Sequence, residues 1–175
     1  MTKNLPDLSI IIPLFNEEEN IIPLMKELNE NLACYNGKFE ILLVEDGGND
    51  NTKALFQEGS QRFGRSFKLI SHLRNLGQTA AMQTGILSAR GEVIAFLDGD
   101  LQNDPADLPR MVEVLVNQDL DLLCGWREKR QDGIDRTFPS RFANWLISKL
   151  TGVKLNDYGC SLKVGRRRVL ENLDL

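Results

Sequence analysis

The chain has almost no histidine. His72 is the only one in 175 residues, which excludes a metal centre built on several imidazoles. Its three cysteines, Cys34, Cys124 and Cys160, are widely spaced and form no Cys-x-x-Cys pair. That excludes a disulfide scaffold and a zinc site of neighbouring thiolates, and reads as reduced thiols in a cytosolic protein. No apolar run approaches the ~18 residues that span a bilayer. The opening Met1-Thr2-Lys3-Asn4 leads into a strand pattern without the apolar stretch of a signal peptide. The expectation is a soluble portion that can still rest on a membrane. Positive charge is also scarce: the net charge is -4. A surface given over to nucleic acid needs a broad basic field, so no nucleic-acid partner is expected and any anion must be met locally.

What is present is a chain 42% hydrophobic and 26% charged, enough apolar sequence for one globular domain over residues 1–175. Short β-branched runs alternate with longer runs of helical period, the pattern of an α/β domain with a mainly parallel sheet. Strands are expected at 8–12, 39–44, 67–71, 93–97 and 120–124. Between them, Ile21, Leu24, Met25, Leu28 and Leu32 give one helix its buried face, with Glu17, Glu18 and Glu19 in its first turn. A second helix is expected from about Thr52. A third, from Gln78 to Ala89, carries Ala81, Gly85 and Ala89 on one face, small enough for close approach. Asp104-Pro105 suits the cap and first position of a helix running to about Val116. A last helix, about 140–150, places Phe142, Trp145, Leu146 and Leu150 together, as core or a subunit contact in a homo-oligomer.

In open parallel sheets ligands bind beyond the carboxyl ends of the strands, so the loops after strands one, two and four should meet. Those loops hold Pro13-Leu14-Phe15-Asn16-Glu17, Glu45-Asp46 and Asp98-Gly99-Asp100-Leu101-Gln102. Asp98 and Asp100 are two apart and leave an apolar strand on one side of an extended chain, with Gly99 allowing close backbone approach. Two like charges there call for a counter-ion. A hard divalent ion, Mg2+ or Mn2+, is held well by such carboxylates together with diphosphate oxygens, and Gln102 can add a neutral oxygen. The bare tripeptide is more often a simple turn; its place at the end of a buried strand shifts the balance towards a site.

The other candidates carry two readings each. Asp46 can accept from a nucleobase or be a turn residue, Glu17 can meet base or ribose donors or start a helix, and Phe15 can stack on a base or fold back to the core. Arg127, with Lys129 and Arg130, can neutralise phosphate or form a solvated loop. Asp157 can face an acceptor or make a turn. His72, with no partner visible, reads as structural.

Five segments together resemble the family-two glycosyltransferases, within them the dolichol-phosphate mannose synthase and bacterial undecaprenyl-phosphate sugar transferase group. They are Ile12-Pro13-Leu14-Phe15-Asn16-Glu17-Glu18, Leu43-Val44-Glu45-Asp46-Gly47, Asn75-Leu76-Gly77-Gln78, the run from Phe96 to Pro105, and Asp157-Tyr158-Gly159-Cys160-Ser161-Leu162-Lys163. The resemblance implies a GT-A fold and inverting transfer of a sugar from a nucleotide diphosphate to a polyprenyl phosphate, at the cytoplasmic face of the cell membrane. It implies that Pro13, Phe15, Glu17, Val44 and Asp46 hold the nucleoside, and that Asp98, Gly99, Asp100 and Gln102 serve diphosphate and metal. By the same resemblance Arg127 meets phosphate and Asp157 is catalytic or acceptor-facing. Glu45-Asp46-Gly47-Gly48 stands where the family commonly has Asp-Asp-Gly-Ser, and Asp98-Gly99-Asp100 where it has Asp-Ala-Asp. Relatives continue past the counterpart of Leu175 with an acceptor-side and often membrane-spanning segment, which this chain is expected to lack.

A nucleotide-sugar-binding module without turnover, and a transferase acting on a saccharide hydroxyl, are the alternatives. A nucleotidyltransferase is disfavoured, because no Gly-rich phosphate loop with a basic residue follows the first strand. A lipid monophosphate acceptor, with a second pKa of about 6, needs little help from a general base near neutral pH, whereas a hydroxyl needs one. Asp157→Ala is therefore expected to lower the transfer rate less than Asp100→Ala. Steady-state kinetics checks this, and equal near-complete losses would point to a hydroxyl acceptor or a positioning role.

Overall fold

The computed structural model describes residues 5–64, 66–126 and 160–172. Six strands form one sheet: β1 (Leu8–Leu14), β2 (Phe39–Glu45), β3 (Phe67–Ser71), β4 (Val93–Phe96), β5 (Leu122–Cys124) and β6 (Lys163–Arg166). Their order is β3-β2-β1-β4-β6-β5. The first four run parallel, while β6 lies antiparallel to both β4 and β5. The helices are α1 (Ile21–Asn31), α2 (Thr52–Phe63), α3 (Gln78–Ser88), α4 (Asp107–Asn117) and the short α5 (Arg167–Leu170).

Alternation along the strands sends side chains to two separate cores. Ile10, Ile12, Leu14, Ile41 and Leu43 face α1, α2 and α4, meeting Leu24, Met25, Phe56, Leu108 and Leu115. Ile11, Leu42, Val44, Ile94 and Phe96 face the other way, onto Ala81, Ile86 and Leu170 of α3 and α5. Burial on both faces explains the unbroken apolar runs of the central strands. The small face expected on α3 is what lets that helix sit close: a Cβ added at Gly85 would lie 2.3 Å from Ile11 Cγ2.

Three local expectations change. The acidic run Glu17 to Glu19 precedes α1 instead of lying in its first turn, because the carbonyl of Glu17 already accepts from the amides of Asn20 and Ile21. Asp104 does not cap α4: its Oδ1 accepts from Ala106 N at 2.9 Å, closing a turn one step before the helix begins at Asp107. The strand β6 has no counterpart in the sequence reading. It is four residues long, includes Lys163, Gly165 and Arg166, and so carries neither an apolar run nor clear alternation. The proposed helix at 140–150 lies outside the described residues.

Away from the cleft described below, Ser9 and Glu40 stand side by side in the β1–β2 register. The buried Glu40 carboxylate accepts from Ser9 Oγ (2.8 Å), Lys68 Nζ (2.7 Å), Arg90 N (2.8 Å) and Arg90 Nη2 (2.9 Å). Burial alone would raise its pKa; the Lys68, Arg90 and Ser9 hydrogen bonds overcome that and lower it from 4.5 to about 2. A depressed folded-state pKa means that this stabilisation is present above the unfolded value of 4.5 and lost as pH falls towards about 2. Glu40→Gln should therefore lower stability by about 1–3 kcal/mol at neutral pH. Urea denaturation at pH 7 and pH 3 checks this, with the gap between variant and wild type narrowing at the lower pH.

Candidate donor site

The strand order reverses between β1 and β4, and a cleft of about 350 Å³ opens at their carboxyl ends. Its described lining is Pro13, Leu14, Phe15 and Glu17 from the end of β1, Asp46 after β2, Asn75, Gly77 and Gln78 from the β3–α3 loop, and Asp98, Gly99 and Asp100 after β4. Four loops far apart in the chain thus line one site. Four of the lining side chains are carboxylates, and none of the described ones is Lys or Arg.

Asp98, half-buried, and Asp100, exposed, are the two carboxylates of the acidic turn. Asp98 Oδ1 accepts from Gln78 Nε2 at 3.0 Å, and Asp100, exposed, accepts at Oδ1 from Gln102 N at 3.1 Å. The second contact is the Asx-turn bond that a simple turn would make, yet the second oxygen of each aspartate has no hydrogen bond among the described residues. The turn itself is strained, since Leu101 has φ 61°, a left-handed conformation costing about 1–2 kcal/mol for an L side chain. Leu101 packs against the larger core while Asn103 Nδ2 donates to Ser161 Oγ at 2.7 Å, so both ends of the acidic turn are anchored. Gly99 serves a different approach from the one expected: a Cβ there would lie 2.5 Å from Leu14 Cδ2, so its smallness seats the turn on the end of β1.

Asp46 is only 3% exposed. Its Oδ1 accepts from His72 Nδ1 at 2.7 Å and Leu76 N at 2.9 Å, and its Oδ2 from Gly77 N at 2.7 Å. Burial alone would raise its pKa, but the bonds from Leu76, His72 and Gly77 outweigh burial and hold it below the usual carboxylate range. One acceptor position remains on Oδ2 for a ligand. The preceding Glu45, also buried, accepts from Gly48 N, and its Oε2 lies 2.9 Å from Lys53 Nζ. That oxygen has no hydrogen-bond partner, so the contact is an ion pair without hydrogen-bond alignment; it ties the β2 loop to α2.

The remaining candidates separate. Phe15 is 46% exposed, so it does not fold back to the core, and Glu17 Oε2 accepts from Asn20 Nδ2 at 2.6 Å on the cleft wall. The side chain of Val44 is fully buried against α3 and does not line the cleft. Gln102 lies beyond the acidic turn and lines a neighbouring cavity of about 480 Å³ with Arg110, Met111, Cys124 and Trp126. Arg127 and Asp157 lie outside the described residues. The sequence assigns Asn75, Gly77, Gln78 and His72 no role in the site, and residues 75–78 figure there only as part of a resembling segment: the bonds of His72, Gly77 and Gln78 to the carboxylates cross 20 to 31 positions, and Asn75 Oδ1 accepts locally from Gly77 N.

As a cation site, the described donor set is two aspartates, each with one oxygen unbonded among the described residues, in a carboxylate-lined cleft. That is an oxygen set suited to a hard divalent ion whose remaining ligands come from a bound phosphate or water. Among the described residues no group of three or more His, Cys, Asp or Glu side chains converges on one point, so the protein alone does not complete such a shell. No described helix is long and apolar enough to cross a membrane.

The family model described as "Glycosyl transferase family 2" matches residues 9–174. A dodecaprenyl-phosphate galacturonate synthase of Rhizobium johnstonii is 46% identical over 170 residues, 97% of this chain and 50% of the relative. An undecaprenyl-phosphate 4-deoxy-4-formamido-L-arabinose transferase of Pseudomonas aeruginosa is 37% identical over 163 residues, 93% of this chain and 48% of the relative. The chain thus spans about half the length of the curated relatives it matches. Among solved structures, glucosyl-3-phosphoglycerate synthase from Mycobacterium tuberculosis, in complex with Mn2+, uridine-diphosphate and phosphoglyceric acid, has a TM-score of 0.75 at 16% identity. The match covers 94% of this chain and 57% of that one, and it bears out the α/β, GT-A architecture.

Gly47, behind the β3–α3 loop, and Gly99, in the cleft, predict unequal losses. Gly47 has φ 68°, and a Cβ there would lie 2.1 Å from the backbone carbon of Arg74, whereas at Gly99 the nearest obstacle is the tip of a leucine. Gly47→Ala should cost about 2 kcal/mol or more, and Gly99→Ala, where a side-chain tip can shift, about 1 kcal/mol. Chemical denaturation of the two variants checks the contrast.

Proposed function

The chain belongs to glycosyl transferase family 2, and from that premise we propose that it forms the donor-binding catalytic region of a metal-dependent inverting transferase. The donor is a nucleotide-diphosphate sugar and the acceptor a polyprenyl phosphate, as the names of the relatives suggest. The observation that carries this reading is the charge of the cleft: a site at the sheet's switch point, lined by four carboxylates and by no described cation, repels a diphosphate unless a metal ion offsets the charge.

Asp98 and Asp100 would hold a divalent ion, Mg2+ or Mn2+, and a bound ion of this kind stabilises the negative charge growing on a departing diphosphate. Phe15, exposed at the cleft edge, offers a face for a base, with Pro13 beside it and Glu17 accepting from ribose or base. Asp46 offers its remaining lone pair while fixing the backbone at residues 76 and 77. Gln78 orients Asp98 by its amide N–H, as outer-shell donors do for metal-binding carboxylates. Arg127 and Asp157 are assigned by the resemblance to the phosphate and acceptor side, while Gln102, which lines the neighbouring cavity, is not assigned to the metal.

In the transfer, an oxygen of the acceptor phosphate forms a bond to the anomeric carbon while the bond from that carbon to the diphosphate breaks, inverting the centre. The acceptor is largely deprotonated near neutral pH, so the chain's contribution is alignment and charge stabilisation instead of proton abstraction. A polyprenyl chain is held in a bilayer, which would bring the reaction to the inner face of the cell membrane.

Isothermal titration with UDP, GDP and dTDP, each with and without Mn2+, tests the reading. Binding of one nucleotide is expected only with the metal, and Asp98→Asn and Asp100→Asn should each weaken it by about 100-fold or more. Metal-independent binding of equal strength in both variants would overturn the assignment. Binding without nucleotide release in the presence of sugar donor and polyprenyl phosphate would assign a binding module instead.

A further inference from the structure

The lone histidine has a place in the donor site that neither the sequence pattern nor the relatives' names assign. The amide of His72 donates to the carbonyl of Glu45 at 2.9 Å, extending the β2–β3 ladder by one step. The imidazole therefore stands beside Asp46, and the ring joins three elements: Nδ1 is 2.7 Å from Asp46 Oδ1, and Nε2 is 2.9 Å from Thr84 Oγ1 in α3. An ionised carboxylate only accepts, so Nδ1 carries the proton that points to Asp46.

The three donors on Asp46 all come from one stretch of chain, His72, Leu76 and Gly77. The loop is wound around the carboxylate, and little else holds it. Its two leucines face outward, Leu73 fully exposed and Leu76 53% exposed, so no apolar side chain of the loop anchors it to a core. Its inner side is the cleft wall, Asn75, Gly77 and Gln78, and Gln78 reaches Asp98. Hydrogen bonds thus run from Thr84 through His72 and Asp46 to the 76–77 amides, and the backbone carries the link on to Gln78 and its bond to the carboxylate assigned to the metal.

We propose that His72 is a positioning residue of the donor site: by fixing the rotamer of Asp46 it holds the 74–78 loop as the wall against which the nucleotide binds. The inference rests on the donor-site reading above, and acts on donor affinity instead of on the transfer step. A residue serving only the fold would lower stability without a donor-specific effect.

The test compares wild type, His72→Ala, His72→Asn, whose carboxamide can restore an N–H to Asp46, and Thr84→Val, which removes only the outer bond. In His72→Ala, hydrogen exchange at the amides of Leu76 and Gly77 should speed up by roughly tenfold or more, while amides of β1 and β4 stay protected. The Kd for nucleoside diphosphate with Mn2+, and the donor KM, should each rise roughly tenfold with kcat little changed. His72→Asn should recover most of both, and Thr84→Val should show a smaller loss in the same direction. Should His72→Ala not fold, His72→Asn and Thr84→Val decide the matter by the same measurements. Unchanged exchange at 76 and 77, or an equal fall in kcat with KM constant, overturns the proposal. If wild type binds no nucleotide, the donor-site reading fails, while the exchange data still decide whether His72 holds the loop.

Discussion

A carboxylate buried at the end of a central strand has to be surrounded by N–H donors, and the structure at the head of this sheet follows from how Asp46 meets that requirement. The sheet supplies one donor through β3 register, which sets His72 alongside. The β3–α3 loop supplies the other two by curling back over the strand ends. The curl is possible because Gly47, at φ 68°, leaves room for the backbone of Arg74. The loop that satisfies Asp46 is also the loop whose inner side faces the cleft, so a solvation requirement and a binding wall are met by the same residues.

Across the cleft the acidic turn obeys a different constraint. Strand β4 is buried on both faces up to Leu97, and the chain must then turn so that charged groups reach solvent at once. Leu101, half-buried, packs against the core in a left-handed conformation, and Asn103 bonds to Ser161, which leaves Asp98 and Asp100 projecting between two fixed points. Strain held by packing on one side and a side-chain hydrogen bond on the other is the arrangement that keeps two like charges together without a cation among the described residues. The Gln78–Asp98 bond links this turn to the loop around Asp46, so the two halves of the cleft are coupled by direct contact.

The ends of the sheet divide the work of the fold. Glu40, among the first residues of β2, is saturated by Ser9, Lys68 and Arg90 and locks the strands together at the end away from the cleft. The carboxyl end carries carboxylates with open lone pairs. A buried acid ringed by cations stabilises a structure, whereas an acid left partly open among other acids demands a ligand.

Amino-acid order alone determined the parallel α/β frame, because apolar runs of strand length and helices with one buried face are local, periodic signals. It also determined the meeting of the loops after β1, β2 and β4, since strand direction and short connections leave few alternatives, and it marked Phe15, Glu17, Asp46, Asp98 and Asp100 as one group. Tertiary structure decided the rest. The strand β6 was invisible because four mixed residues gain strand character only when wedged between β4 and β5. Val44 is a core residue because pleat parity turns it towards α3. The partners of His72, Gln78 and Asn103 emerged only on folding, because a hydrogen bond between residues tens of positions apart depends on register and loop path, and neither is written in any local run of residues.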